Sequence, residues 1–186
     1  MNFYKKYALF GALVCATVTA TAGDIIEARV EHSGKRYFIT LEAVINADSQ
    51  RIYEILTDYN NLNQISDGIL ESRLIYSLSD HDHRVQVTTE GCVSFFCKRI
   101  IQVQDVEELA GMIIISTALP DKSDVDYGHS RWKVTPEDGL THISYNSDLK
   151  PSFWIPPLIG PPLIERTLRN EALAVIEGLE ILAQQR

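Results

Sequence analysis

The chain has 186 residues, of which 25 are acidic and 17 basic, and its formal net charge is −8 at neutral pH. This acidity argues against a nucleic-acid partner, which would need clustered positive charge. It also argues against broad electrostatic adhesion to anionic lipid, so any transient membrane contact is expected to be apolar and local. The length suits one domain with one hydrophobic core, and the sequence leaves the oligomeric state open.

The start of the chain, residues 1–22, is predicted to be a cleavable secretory signal peptide. Lys5 and Lys6 supply positive charge, an apolar run follows, and the small residues up to Ala22 fit the cleavage rule. A retained membrane anchor is the weaker interpretation, because the run is shorter than the roughly 20 residues that span a bilayer. The mature domain is then residues 23–186, with a net charge of −10 once both lysines are removed. We expect it to be exported, with the periplasm as its compartment.

Two cysteines remain after cleavage, Cys92 and Cys97. In an oxidising compartment such a pair is expected to form a disulfide, although two separate thiols are the alternative if the flanking strands point them apart. A loop this short gains only about 2 kcal/mol from the bridge, so the bridge would fix the loop more than hold the domain together. The spacing differs from the Cys-x-x-Cys of redox enzymes, and no second pair exists to build a zinc site.

The first predicted elements are a strand and a helix. Apolar residues alternate with more polar ones over residues 37–45, which is typical of a half-buried strand. Asp48 then offers an N-cap, and apolar residues recur at helical spacing over residues 52–59. A second short helical piece is possible through Gln64.

Strands and turns follow, and a long helix ends the chain. Six strands are predicted, at residues 70–78, 84–90, 98–106, 112–118, 128–135 and 140–148. Their short connections imply antiparallel pairing. Residues 163–185 read as a helix of about six turns with one apolar stripe, which must bury itself against the sheet.

The segment ADSQRIYEILTDYNNL, residues 47–62, resembles the start of the START-like or helix-grip (SRPBCC) superfamily, in its polyketide cyclase/dehydrase and coenzyme Q-binding branch. The later runs WKVTP (132–136) and THISY (141–145) are similar to the paired strands before that family's C-terminal helix. The resemblance covers about residues 35–185. It implies an α+β fold in which a curved antiparallel sheet, with two short helices after its first strand, wraps around a long C-terminal helix. It also implies an apolar cavity for a lipid, isoprenoid quinone or polyketide-like molecule.

Candidate ligand-binding residues are those that strand alternation and helix periodicity turn towards this cavity. Those on the sheet are Leu74, Tyr76, Val85, Val87, Trp132, Val134, Ile143 and Tyr145, and those on the helix are Val175, Ile176 and Leu179. The three aromatic side chains would bring polar or amphipathic groups to an otherwise apolar surface. For each of these residues, plain core packing is the alternative.

Residues 151–164 combine prolines, which exclude regular helix or central strand, with more apolar side chains than an ordinary loop carries. This segment is either a buried connector or a lid or membrane-docking lip at the cavity mouth. The candidate lip residues, including two between the cysteines, are Phe95, Phe96, Phe153, Trp154, Ile155 and Leu158.

No catalytic motif is recognised in the sequence, which has no nucleophile elbow, phosphate loop or paired-carboxylate signature. His81 and His83 lack a third ligand at recognisable spacing, so no metal and no other cofactor is predicted. The leading prediction is therefore a binding protein for a hydrophobic small molecule. The alternatives are a cyclase- or hydratase-type enzyme and a protein-interaction module with a filled core.

Overall fold

The computed structural model describes residues 24–93, 96–155 and 160–185. Its described strands form one antiparallel sheet in the order β1-β2-β8-β7-β6-β5-β4-β3. The strands are β1 (Asp24–Ser33), β2 (Arg36–Ile45), β3 (Ile69–Ser77), β4 (Asp82–Val93), β5 (Phe96–Leu109), β6 (Ile113–Ala118), β7 (Val125–Glu137) and β8 (Leu140–Pro151). The predicted signal peptide lies outside the described residues.

Two α-helices accompany the sheet, α1 (Ser49–Thr57) and α2 (Gly160–Gln184). Single turns of 3-10 helix cover Leu62–Gln64 and Pro120–Lys122. The predicted cap is confirmed, because the Asp48 carboxylate accepts a hydrogen bond from the Arg51 N–H at 2.9 Å. The predicted helix-grip architecture is also confirmed, with two short helical pieces between β2 and β3 and a long helix at the end.

The strand β1 was not predicted. Most of its side chains are exposed and only Val30 is buried, because the strand lies at one edge of the sheet. The apolar alternation that marks a half-buried strand is therefore weak there. Gly34 adopts a φ of 59° in the tight turn that connects β1 to β2. The pair Ser33-Gly34 is therefore the feature of the sequence that indicates this turn. Between β7 and β8, which correspond to two of the predicted strands, Asp138 and Gly139 both adopt positive φ, as a two-residue hairpin turn requires.

The helix α2 packs across the concave face of the sheet. Its buried residues Ile176 and Leu179 join Val85, Val134 and Ile143 in the main core cluster. Gly178, on the same part of the helix, approaches the short turn after α1 so closely that a β-carbon there would overlap the Ile65 carbonyl oxygen. In the described part of the chain, no helix is long and apolar enough to cross a membrane.

Cys92 and Cys97 form a disulfide, as predicted. They lie directly opposite each other on β4 and β5, at the end of that hairpin. Among the described residues, the one group of potential metal ligands is this pair together with Glu90. Because both sulfurs are held in the disulfide, neither is available as a thiolate ligand.

Candidate ligand-binding cavity

A cavity of about 320 Å³ lies between the concave face of the sheet and α2. Its volume falls within the range of about 300–1,000 Å³ that is usual for small-molecule sites. The walls are mainly apolar side chains from β2 to β8 and from α2. Those residues include Ile39, Leu41, Val87, Ile100, Val106, Ile114, Trp132, Leu168, Ala172 and Val175.

Four of the eleven predicted ligand-binding residues line this cavity, namely Val87, Trp132, Tyr145 and Val175. Six others pack in or against the core beside it: Leu74, Val85, Val134, Ile143, Ile176 and Leu179. The prediction treated the whole inward face as one surface. In the structure, α2 and α1 cover one part of that face directly, and the cavity occupies the rest.

The inward orientation predicted for Tyr76 is wrong. A β-bulge separates Leu74, which lies opposite Val85, from Tyr76, which lies opposite Arg84. The extra residue in β3 interrupts the alternation, so Leu74 packs against the core whereas Tyr76 is 42% exposed. The Arg84 guanidinium lies 5.1 Å from the centre of the Tyr76 ring, which places this aromatic in a surface cation–π contact.

Three serines that the sequence analysis did not single out form a row across the cavity floor. Ser116 on β6 lies opposite Ser130 on β7, which in turn lies opposite Ser147 on β8. All three line the cavity. The signal was present in the sequence, because Ser130 and Ser147 are each two residues from a predicted inward aromatic. We call these residues the serine row.

The serine row borders an aromatic pair. The rings of Trp132 and Tyr145 lie 4.2 Å apart between centroids, on neighbouring strands. Burial raises the pKa of the Tyr145 hydroxyl, and the neighbouring hydroxyls of Ser147 and Ser130 partly offset that effect. Tyr145 therefore stays neutral at physiological pH, and its hydroxyl lies beside those of Ser130 and Ser147. This part of the floor can donate hydrogen bonds to a ligand oxygen and accept them from a ligand donor.

A carboxylate marks another part of the lining. Glu171 lies on α2 between Leu168 and Val175, which also line the cavity. The Ser66 hydroxyl donates a hydrogen bond to the Glu171 carboxylate and accepts one from the Gly68 N–H at 3.0 Å. Gly68 packs so tightly against this carboxylate that a β-carbon at position 68 would overlap it. The Ser66 hydroxyl and the Gly68 backbone therefore hold the Glu171 carboxylate in place, and we call these two residues the seat of Glu171.

A second polar cluster ties α1 to the sheet around Glu108. Its carboxylate accepts hydrogen bonds from Tyr59 at 2.7 Å and from Tyr53 at 3.0 Å. His83 Nε2 lies 3.2 Å from the same carboxylate, and its Nδ1 lies 2.9 Å from the Ser77 hydroxyl. Burial, reinforced by Glu108, raises the pKa of Tyr53 to about 12 and also raises that of Tyr59. His83 thus has a structural partner here, while its sequence neighbour His81 is exposed.

The predicted lip is described only in part. Phe153 lines the cavity, and the Lys98 ammonium lies 4.7 Å from the centre of its ring. Trp154 is 74% exposed, and Ile155 is half-buried. Phe95 and Leu158 lie outside the described residues, and only the backbone of Phe96 is described, as the start of β5. Within the described part, the segment therefore contributes both to the cavity wall and to the surface.

Comparison of the sequence with protein-family models identifies one family. The family model for polyketide cyclase / dehydrase and lipid transport matches residues 45–174. Comparison with curated proteins finds no match.

Solved structures share the fold. The Zhui aromatase/cyclase from Streptomyces sp. R1128 superimposes with a TM-score of 0.68 at 12% identity, over 81% of this chain and 95% of that one. A START superfamily protein from Mycobacterium smegmatis gives 0.63 at 15% identity, over 80% and 97%. The STAR-related lipid transfer protein from Xanthomonas axonopodis gives 0.56 at 13% identity, over 82% and 98%. At these identities, the similarity establishes the fold alone.

Proposed function

Because the chain belongs to the polyketide cyclase / dehydrase and lipid transport family, we propose that it is an exported binding protein for a hydrophobic small molecule. The observation that carries this proposal is the cavity of about 320 Å³, with its apolar walls and its serine row. A mostly apolar pocket with a few convergent polar groups is the usual form of a ligand site. The unfilled space also weighs against an interaction module whose core is packed solid.

The lining of the cavity supports one ligand class. Apolar side chains from seven strands and α2 would bury a hydrocarbon skeleton, which favours a lipid, an isoprenoid quinone or a polyketide-like molecule. The serine row and Tyr145 would bind oxygen substituents on that skeleton. An oxygenated ring or chain therefore suits this floor better than a plain hydrocarbon, because buried hydroxyls left without partners cost free energy.

A second candidate function is a cyclase- or hydratase-type enzyme, and Tyr145 favours it. A neutral tyrosine hydroxyl inside a cavity, beside Ser130 and Ser147, can act as an acid towards a bound carbonyl oxygen. A carrier would release its ligand unchanged. An enzyme would convert the ligand, and it would lose that turnover on Tyr145→Phe while still binding.

Native mass spectrometry of the full chain, expressed in a Gram-negative host and purified from the periplasmic extract, tests export and binding together. We expect a polypeptide that begins at Gly23 and is lighter by two hydrogen atoms for the disulfide. We also expect a noncovalent adduct that dissociates on collisional activation. A polypeptide that retains residues 1–22 would contradict export. A protein that stays free of adduct after incubation with a total lipid extract would contradict binding.

We propose further that Trp154 makes a transient apolar contact with the membrane beside the cavity. The side chain is 74% exposed next to Phe153, which lines the cavity. Trp154→Ser is expected to weaken sedimentation with neutral phosphatidylcholine liposomes by about tenfold, since burying a large apolar side chain contributes roughly 1.5–3 kcal/mol. Leu78→Ser is the matched control, because the Leu78 side chain is also strongly exposed, at 64%. Leu78 directly follows β3, at the end of the β3–β4 pair that lies away from the cavity-lining residue Ile69. Equal sedimentation of both variants and the parent protein would contradict the contact.

A further inference from the structure

The formally charged side chains that line the cavity are all acidic among the described residues. Neither lysine nor arginine is among the described residues that line it, and the acidic ones are Glu90 and Glu171. The Glu90 side chain is exposed, and its carboxylate lies within 4.8 Å of the sulfurs of the exposed disulfide, at the rim of the cavity. Glu171 is thus the carboxylate on the cavity-facing stripe of α2.

The position of Glu171 is fixed from several sides. The Ser66 hydroxyl donates to it, and the Gly68 backbone supports it without room for a side chain. The Glu90 N–H donates to the Gly68 carbonyl at 2.9 Å, which ties this seat to β4. A periodic apolar stripe would place an aliphatic residue at position 171, between Leu168 and Val175, yet the fold provides a dedicated seat for a carboxylate.

A carboxylate in this position discriminates between ligands by charge. It strengthens hydrogen bonds from ammonium and hydroxyl donors, because charge-assisted hydrogen bonds are about twice as strong as neutral ones. It repels a ligand carboxylate, phosphate or sulfonate, and the low dielectric of a partly buried site increases that repulsion. The net charge of −8 for the chain adds a weaker long-range repulsion of the same sign.

We propose that Glu171 is the specificity-determining residue of the cavity, which therefore selects hydrophobic amines and alcohols and rejects hydrophobic anions such as fatty acids. This inference rests on the proposed binding function and specifies its ligand class. The serine row is compatible with it, since hydroxyls bind neutral oxygen or nitrogen groups without requiring ligand charge.

Displacement of the neutral fluorescent probe N-phenyl-1-naphthylamine tests this selectivity. The competitors decylamine, decanol and decanoate share one chain length and differ in the polar end. We expect decylamine and decanol to displace the probe at concentrations about tenfold lower than decanoate, from the strength of hydrogen bonds to a charged group. In Glu171→Gln, the three competitors are expected to act within about threefold of one another, because the charge is lost and the shape is kept.

Two further variants keep the test specific. Glu177→Gln removes the same charge from an exposed position on α2 and should preserve the parent order of competitors. Gly68→Ala displaces the Glu171 carboxylate without changing charge and should reduce the preference. Probe binding with equal or tighter displacement by decanoate would overturn this inference and leave the binding function standing. Failure of the parent protein to bind the probe or any competitor would instead count against the binding function itself.

Discussion

Gly178→Ala is expected to lower the free energy of unfolding by about 3 kcal/mol, the upper end of the usual cost of overpacking. In an ordinary helix interior the same change stabilises by roughly 1 kcal/mol, because alanine has the higher helix propensity. Here the sign reverses, since the new β-carbon would overlap the Ile65 carbonyl oxygen. The backbone of α2 or of the turn after α1 would have to move, and both border the cavity.

Urea denaturation followed by circular dichroism measures this effect. Gly91→Ala serves as the control, because no atom lies within 4 Å of a β-carbon at that position. We expect that control to change the unfolding free energy by less than about 1 kcal/mol. If Gly178→Ala were as stable as the parent protein, the close approach of α2 to Ile65 would be wrong.

Elements with strong periodicity or strong turn chemistry could be predicted from the sequence. The α2 stripe and the Asp138-Gly139 hairpin are examples, because a single buried face and a left-handed turn each demand particular residues. The edge strand β1 could not be predicted in the same way. Its one buried side chain, Val30, is too little burial to impose a pattern.

The candidate site was less predictable than the fold, for two physical reasons. Strand alternation predicts which face of the sheet each residue lies on, but not which part of that face α2 covers. Val134 and Ile143 therefore belong to the packed core, whereas Trp132 lines the cavity. A β-bulge adds one residue without any necessary sequence mark, which reversed the orientation predicted for Tyr76.

The polar residues of the cavity lining could not be predicted for a different reason. Serines in a strand and a glutamate on a helix are ordinary surface residues by composition. The serine row becomes visible only once the register aligns Ser116, Ser130 and Ser147 across three strands. Likewise, Glu171 gains significance only from its seat against Ser66 and Gly68, which are distant in sequence.

Filling the cavity from its floor should strongly weaken ligand binding while the protein remains folded. Ser130 lies in the middle of the serine row, so Ser130→Leu would project an aliphatic side chain into the space between the sheet and α2. We expect affinity for N-phenyl-1-naphthylamine to fall by about 100-fold, because a ligand forced into occupied space incurs an overpacking cost of up to about 3 kcal/mol. The unfolding free energy should be unchanged or higher, since filling an apolar cavity adds buried contacts and leaves the surrounding core intact.

The matched control is Ser144→Leu. Ser144 lies on β8 next to Ile143, which is fully buried, and alternation turns it to the outer face of the sheet. The same substitution there adds the same apolar volume to the same sheet but leaves the cavity open, so probe affinity should match that of the parent protein. Undiminished binding in a folded Ser130→Leu variant would show that hydrophobic ligands bind elsewhere on the molecule. Loss of binding in that variant alone would assign them to the space between the serine row and α2, where the Glu171 carboxylate can act on them.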